Sequence, residues 1–182
     1  TKETILLSVM QVNNVFGTIQ PIEEISEILK DYPKVHFHVD GVQGVLKDKL
    51  DLSKVDSYAI SAHKFHGPKG VGFLYAKKMD FDNFMHGGDQ EEKHRAGTEN
   101  LISITAMAAA LSESMEHLEE NLEHAQDLKN SLLADLSDID YYLNESKPSL
   151  PYVINLGLSD VKFNSSLCLY DFASTWIPCL EK

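Results

Sequence analysis

The amino-acid sequence predicts an α/β protein built on a mostly parallel sheet with flanking helices. Three observations lead there. Two β-rich apolar runs, residues 5–12 and 35–39, bracket a helical stretch that begins at Pro21, which is the βαβ order of parallel strands joined by a right-handed crossover. Two further apolar runs of strand length follow, at 58–60 and 71–76. Apolar residues make up 43% and charged residues 24% of the 182, the balance of a chain that buries a core.

The first run, Ile-Leu-Leu-Ser-Val-Met-Gln-Val, gives way to Asn13, Asn14 and Gly17, which mark a loop. Pro21 suits a helix start because its missing N–H has no intrahelical partner to lose, and Glu23 and Glu24 favour the positive end of the helix dipole. Ile22, Ile25, Ile28 and Leu29 are expected on one face, and Asp31-Tyr32-Pro33 stops the helix. The second strand ends at Asp40. The third hands over to Ser61-Ala62-His63-Lys64, and the turn Gly67-Pro68-Lys69-Gly70 leads into the fourth. Gly87 and Gly88 open a polar loop that runs to Asn100. Residues 101–136 read as helical, Ala-rich and then charged, with a break expected near Asp127. A loop with two prolines at 144–151, a strand at 152–156 and a helix at 165–172 complete the pattern. The change from βα alternation to a long helix predicts a domain boundary, with 1–100 on one side and 101–182 on the other.

Sixteen basic against 28 acidic residues give a net charge of −12, so no basic stripe exists to bind nucleic acid or an anionic membrane. No apolar run reaches the roughly 20 residues needed to span a bilayer. Two cysteines, Cys168 and Cys179, are too few for a disulfide framework, and a cytoplasmic location is expected.

Ligands of parallel α/β sheets bind beyond the carboxyl ends of the strands. Three groups are expected there: Asn14, Asp40 with Gln43, and Ser61 with His63 and Lys64. A lone lysine after a strand is ordinarily a solvated loop residue, and a lone aspartate at a strand end is ordinarily a turn former. Their convergence at consecutive strand ends is the signal. Pyridoxal phosphate needs such a set. Its aldehyde condenses only with a neutral amine, whose ordinary pKa is about 10.4. Its ring nitrogen stays protonated beside a carboxylate, and its phosphate takes hydroxyls, backbone amides or an imidazole. Lys64, Asp40, and Ser61 with His63 can fill those roles.

The motifs Ser-Val-Met-Gln-Val-Asn-Asn (8–14), His-Val-Asp-Gly-Val-Gln (38–43), Ser-Ala-His-Lys-Phe-His-Gly-Pro-Lys-Gly (61–70) and Arg-Ala-Gly-Thr-Glu-Asn (95–100, after Gly-Gly-Asp-Gln-Glu at 87–91) resemble the class V aminotransferase family, and within it the cysteine desulfurases. The resemblance implies part of a fold-type-I pyridoxal-phosphate transferase large domain, followed by part of an α+β small domain. It implies conversion of L-cysteine to L-alanine with transfer of sulfur to an acceptor protein for iron–sulfur cluster or thio-cofactor synthesis. By position, Lys64 resembles the cofactor-bearing, proton-moving lysine, and Asp40 the partner of the pyridine nitrogen. Gln43 is similar to the ligand of the ring hydroxyl, and Asn14 to the asparagine near that hydroxyl and the substrate carboxylate. Ser61 and His63 resemble phosphate ligands. Thr98 resembles the threonine that reaches the phosphate of a neighbouring subunit, which implies a homodimer.

Departures qualify the resemblance. Gln11 and Val15 stand where the family often has histidine and glutamate. The phosphate-binding loop and the ring-stacking aromatic residue that the family carries before this region have no counterpart here. Ala-Ser-Thr-Trp-Ile-Pro-Cys (173–179) does not match the family's Ser-Ala-Cys nucleophile loop, and Cys168 fits a core helix position. The isolated chain is therefore expected to bind cofactor weakly and not to desulfurate cysteine. Other readings are a fold-retaining vestigial protein, or another class V enzyme such as selenocysteine lyase. A metal site drawing on His36, His38, His63, His66, His86 or His94 lacks zinc-like spacing, and 67–70 lacks the spacing of a phosphate-binding nucleotide loop. The acidic stretch 113–123 reads as a solvated helix face, with Leu118 and Leu122 turned inward.

Overall fold

The computed structural model describes residues 1–78 and 82–158; the expectations for residues 165–172, Cys168 and Cys179 lie outside the described residues. The chain forms two compact units. Thr1–Gln11 with Pro21–His117 make the first, and Val12–Gln20 with the described part of Leu118–Lys182 make the second.

The first unit holds a four-stranded sheet in the order β1-β2-β3-β4. Strands β1 (Leu6–Met10), β2 (His36–Asp40) and β3 (Ser57–Ser61) are parallel, whereas β4 (Gly72–Ala76) returns antiparallel to β3. The α/β fold with a mostly parallel sheet is as the sequence predicts. Period-two alternation sorts the side chains of β2 and β3. Phe37, Val39, Tyr58 and Ile60 are buried in the core. His36, His38 and Asp40 lie on the other face of β2; His36 Nε2 and His38 Nδ1 both meet Ser57 Oγ at 2.8 Å, so Ser57, Ala59 and Ser61 share that face.

Helix α1 (Ile22–Leu29) covers the core with Ile22, Ile25 and Leu29. Ile28, expected on that face, is 62% exposed. At 100° per residue it lies about 240° around the helix from Ile22, so it cannot share the stripe. Helix α2 (Leu101–Glu116) is capped by the Asn100 side chain, which accepts the Ser103 N–H at 3.2 Å, and it adds Met107, Ala110 and Leu111 to the core. The helical stretch breaks at His117 (φ −105, ψ 14), not near Asp127. Glu119 and Glu120 in the first turn of α3 (Leu118–Asp135) suit a helix N-terminus there, whereas nothing around Asp127 interrupts the ladder.

The second unit contains α3 and a small antiparallel pair, β5 (Tyr141–Leu143) with β6 (Leu156–Leu158). The strand expected at 152–156 starts four residues later and ends two later, because the Asn144 N–H donates to the Asn155 carbonyl and sets Leu143 opposite Leu156. The segment 12–20 folds back on itself through the Val12–Ile19 bridge, and Thr18 bridges Ser149. Lys129 on α3 is 8% exposed and pairs with the Glu145 carboxylate.

Candidate active site

In the first unit the carboxyl ends of β2 and β3 carry most of the residues singled out from sequence. Asp40 is the last residue of β2, and it pairs in register with Met10 and with Ala59. Ser61 ends β3 two residues beyond Ala59, on the same face as Asp40. The chain then turns through a short 3-10 helix, Ala62–Phe65, which contains His63 and Lys64. Ala62 and Phe65 are buried and anchor this turn, while His63 and Lys64 are half-buried. His66 closes it in the left-handed region (φ 67), and the Gly67 N–H donates to the Ala62 carbonyl at 2.9 Å. The Ala62 N–H donates to the Val71 carbonyl, so the lysine-bearing loop is tied at both ends.

Asp40, Ser61 and His63 have defined local partners. Asp40 Oδ1 accepts the Val42 N–H at 3.0 Å, which aims the carboxylate and starts the following turn. Ser61 Oγ and His63 Nδ1 are 2.9 Å apart. Burial first, and then the charges of Lys64 and Lys69, lower the pKa of the His63 imidazole, so it is held toward the neutral form. Gln43 is half-buried in the turn after Asp40. Thr98 is exposed in the loop before α2, just after Gly97, whose φ of 123 and N–H bond to Gln90 Oε1 shape that loop. Asn14 belongs to the second unit, in a tight turn where Asn13 Oδ1 accepts the N–H groups of Val15 and Phe16.

A second polar group lies on the core face behind Asp40. Gln11, 1% exposed, donates through Nε2 to Asp48 Oδ2 at 2.8 Å, and its Oε1 accepts the Tyr58 hydroxyl at 2.6 Å. Burial first, then the Asp48 and Asp40 carboxylates, push the Tyr58 phenol well above its ordinary pKa. The sequence offers only a faint sign of this cluster: a glutamine at the end of an apolar run, and a tyrosine between small residues.

Among the described residues, no group of three His, Cys, Asp or Glu side chains could hold a metal ion, and no helix is long and apolar enough to cross a membrane.

The sequence model of the family described as Aminotransferase class-V matches residues 1–169. A NifS/IcsS protein homolog of Lactobacillus delbrueckii subsp. bulgaricus is 55% identical over 113 residues, covering 60% of this chain and 29% of that protein. A cysteine desulfurase IscS of Dictyoglomus turgidum is 40% identical over 176 residues, covering 93% of this chain and 44% of that protein. Among solved structures, a NifS-like protein superposes with a TM-score of 0.81 at 38% identity, over 85% of this chain and 44% of its own. DndA from Streptomyces lividans superposes with a TM-score of 0.82 at 34% identity, over 90% of this chain and 48% of its own. The chain thus spans less than half the length of these relatives.

Proposed function

This chain belongs to the class-V aminotransferase family, and from that premise we propose that it is the lysine-bearing part of a pyridoxal-phosphate-dependent cysteine desulfurase. The observation that carries the reading is the placement of Asp40 and Ser61 on one sheet face, at the carboxyl ends of adjacent parallel strands, with His63 and Lys64 on the turn that follows.

The residues fit the group. A carboxylate, a hydroxyl–imidazole pair and an amine are the donor set that a cationic ring nitrogen, a phosphate and an aldehyde call for. Bound pyridoxal phosphate supplies an electron sink for a substrate carbanion. Asp40 holds the proton at the ring nitrogen by a charge-assisted hydrogen bond, and the Val42 N–H keeps its carboxylate in place. Ser61 and His63 bind the phosphate. With Nδ1 engaged by Ser61, Nε2 is the ring nitrogen of His63 that would serve the phosphate. Lys64 Nζ would be the amine that holds the cofactor through its aldehyde carbon, and it would move protons at the substrate. Gln43 hydrogen-bonds the ring hydroxyl, and Asn14 serves that hydroxyl and the substrate carboxylate. Thr98 contributes to the phosphate site of a second subunit in a homodimer. The substrate is L-cysteine, the product L-alanine, and the sulfur passes to an acceptor protein for iron–sulfur cluster or thio-cofactor synthesis.

Borohydride trapping at saturating pyridoxal phosphate, followed by peptide mapping, tests the assignment. The label is expected on the peptide containing Lys64 and is expected to vanish in Lys64→Ala. Labelling spread evenly over surface lysines, and unchanged in that variant, would overturn the reading.

A further inference from the structure

We propose that Tyr58 and Gln11 are positioning residues for Asp40, acting through the turn from Gly41 to Gly44. The inference rests on the cofactor reading of Asp40 and adds residues that the chemistry itself does not use.

The hydrogen bonds run in one order. A carboxylate only accepts, so Asp48 Oδ2 at 2.8 Å selects the amide nitrogen of Gln11 and turns Gln11 Oε1 toward Tyr58. The Tyr58 hydroxyl donates to that oxygen at 2.6 Å and lies 3.4 Å from the Gly41 carbonyl. The main chain of Gln11 also reaches the site, since its N–H donates to the Asp40 carbonyl at 2.8 Å. On the other side the Gly41 N–H donates to the Ala59 carbonyl at 2.9 Å. The peptide after Asp40 is thus held from β1, from β3 and from the core beneath it.

Two glycines record how closely the turn is drawn down. A Cβ on Gly41 would lie 1.8 Å from Tyr58 Cζ, and one on Gly44 would lie 2.2 Å from Gln11 Oε1. The same turn is closed by the Val45 N–H on the Gly41 carbonyl and the Asp48 N–H on the Gly44 carbonyl. Asp48 therefore belongs both to the turn and to the cluster that clamps it. Removing the Tyr58 hydroxyl leaves a buried Gln11 oxygen without its donor, and the turn that carries Asp40 and Gln43 loses its fixed depth.

The test compares Tyr58→Phe, Gln11→Leu and the double variant with the unsubstituted chain. Amide hydrogen exchange is read across residues 40–48, and the affinity and pH midpoint of the visible chromophore are read with pyridoxal phosphate bound. Tyr58→Phe is expected to speed exchange at Val42, to weaken cofactor binding about tenfold, and to displace the pH midpoint. Met107→Ala, which destabilises the same core at a distance from the turn, is expected to leave the midpoint in place. Unchanged exchange across 40–48 in Tyr58→Phe, or a midpoint that moves equally in Met107→Ala, would overturn the proposal. Absence of a Lys64-trapped chromophore in the unsubstituted chain would instead sink the cofactor reading, and the exchange measurement alone would then decide whether these residues hold Asp40.

Discussion

His63 is the single residue whose titration most directly reports on the proposed anion site. Its folded-state pKa lies below the ordinary value of 6.5, chiefly through burial and then through Lys64 and Lys69. Between the two pKa values the unfolded chain binds more protons than the folded one, so stability rises with pH through that window and levels off above about 6.5. Denaturant melts from pH 5 to 7.5 should show this rise in the parent and a smaller one in His63→Gln. Equal slopes in the two would remove His63 as its source. An anion beside the imidazole acts in the opposite direction, so sulfate, a dianion throughout this range, should bind more tightly as pH falls, and this too should be blunted in His63→Gln. Gly41→Ala is expected to cost about 1–3 kcal/mol, because the new methyl group lands on the Tyr58 ring. The candidate residues themselves were legible because motif chemistry is local: Ser61, His63 and Lys64 are near neighbours, and Asp40 ends an apolar run. The Gln11–Tyr58–Asp48 cluster was not, because it joins positions 11, 48 and 58, which only the sheet and the turn after β2 together bring into contact.

At the level of elements, every predicted strand of the first unit is present, since short apolar runs bounded by turn residues leave little alternative. The break in the long helical stretch was misplaced because leucine spacing continues through 118–133 and hides the discontinuity at His117. Strand β5 has no counterpart among the expected elements, and its partner β6 is displaced from the expected 152–156, for another reason: strands of three residues carry too few positions to show alternation. Caps, by contrast, can be checked one at a time. Asn100→Ala should cost about 1 kcal/mol, measured by thermal or denaturant melts, because the Ser103 N–H loses its acceptor. Asn100→Asp should restore most of that loss, and no difference among the three proteins would mean that α2 does not depend on its cap. Val39→Ala on β2, where Val39 is fully buried, should cost about 2 kcal/mol through lost burial and a residual cavity.

For the molecule as a whole, the α/β class followed from composition and element order, but the grouping into units did not. Residues 12–20 belong with 118 onward rather than with the strand that precedes them, and that association depends on the Thr18–Ser149 bridge across some 130 residues of chain. No local pattern announces such a contact. The net charge of −12 acts over the same scale. Self-repulsion weakens the compact state at low ionic strength, so raising monovalent salt from about 10 to 150 mM, where the screening length falls toward 8 Å, should increase the Tm. A Tm that stays flat or falls would mean that local ion pairs outweigh the general repulsion. The reversal of direction at β4 has a kinetic consequence. Because Gly72 returns beside Ser61, residues 62–71 form a closed hairpin loop, and a loop of that length can shut in about 10–100 ns. The parallel pairing of β1 with β2 must instead await closure of a much longer crossover. The peptide that bears Lys64 is therefore expected to close through contacts among its immediate neighbours before β1 pairs with the strand that delivers Asp40, an order that pulse-labelled hydrogen exchange during refolding would check.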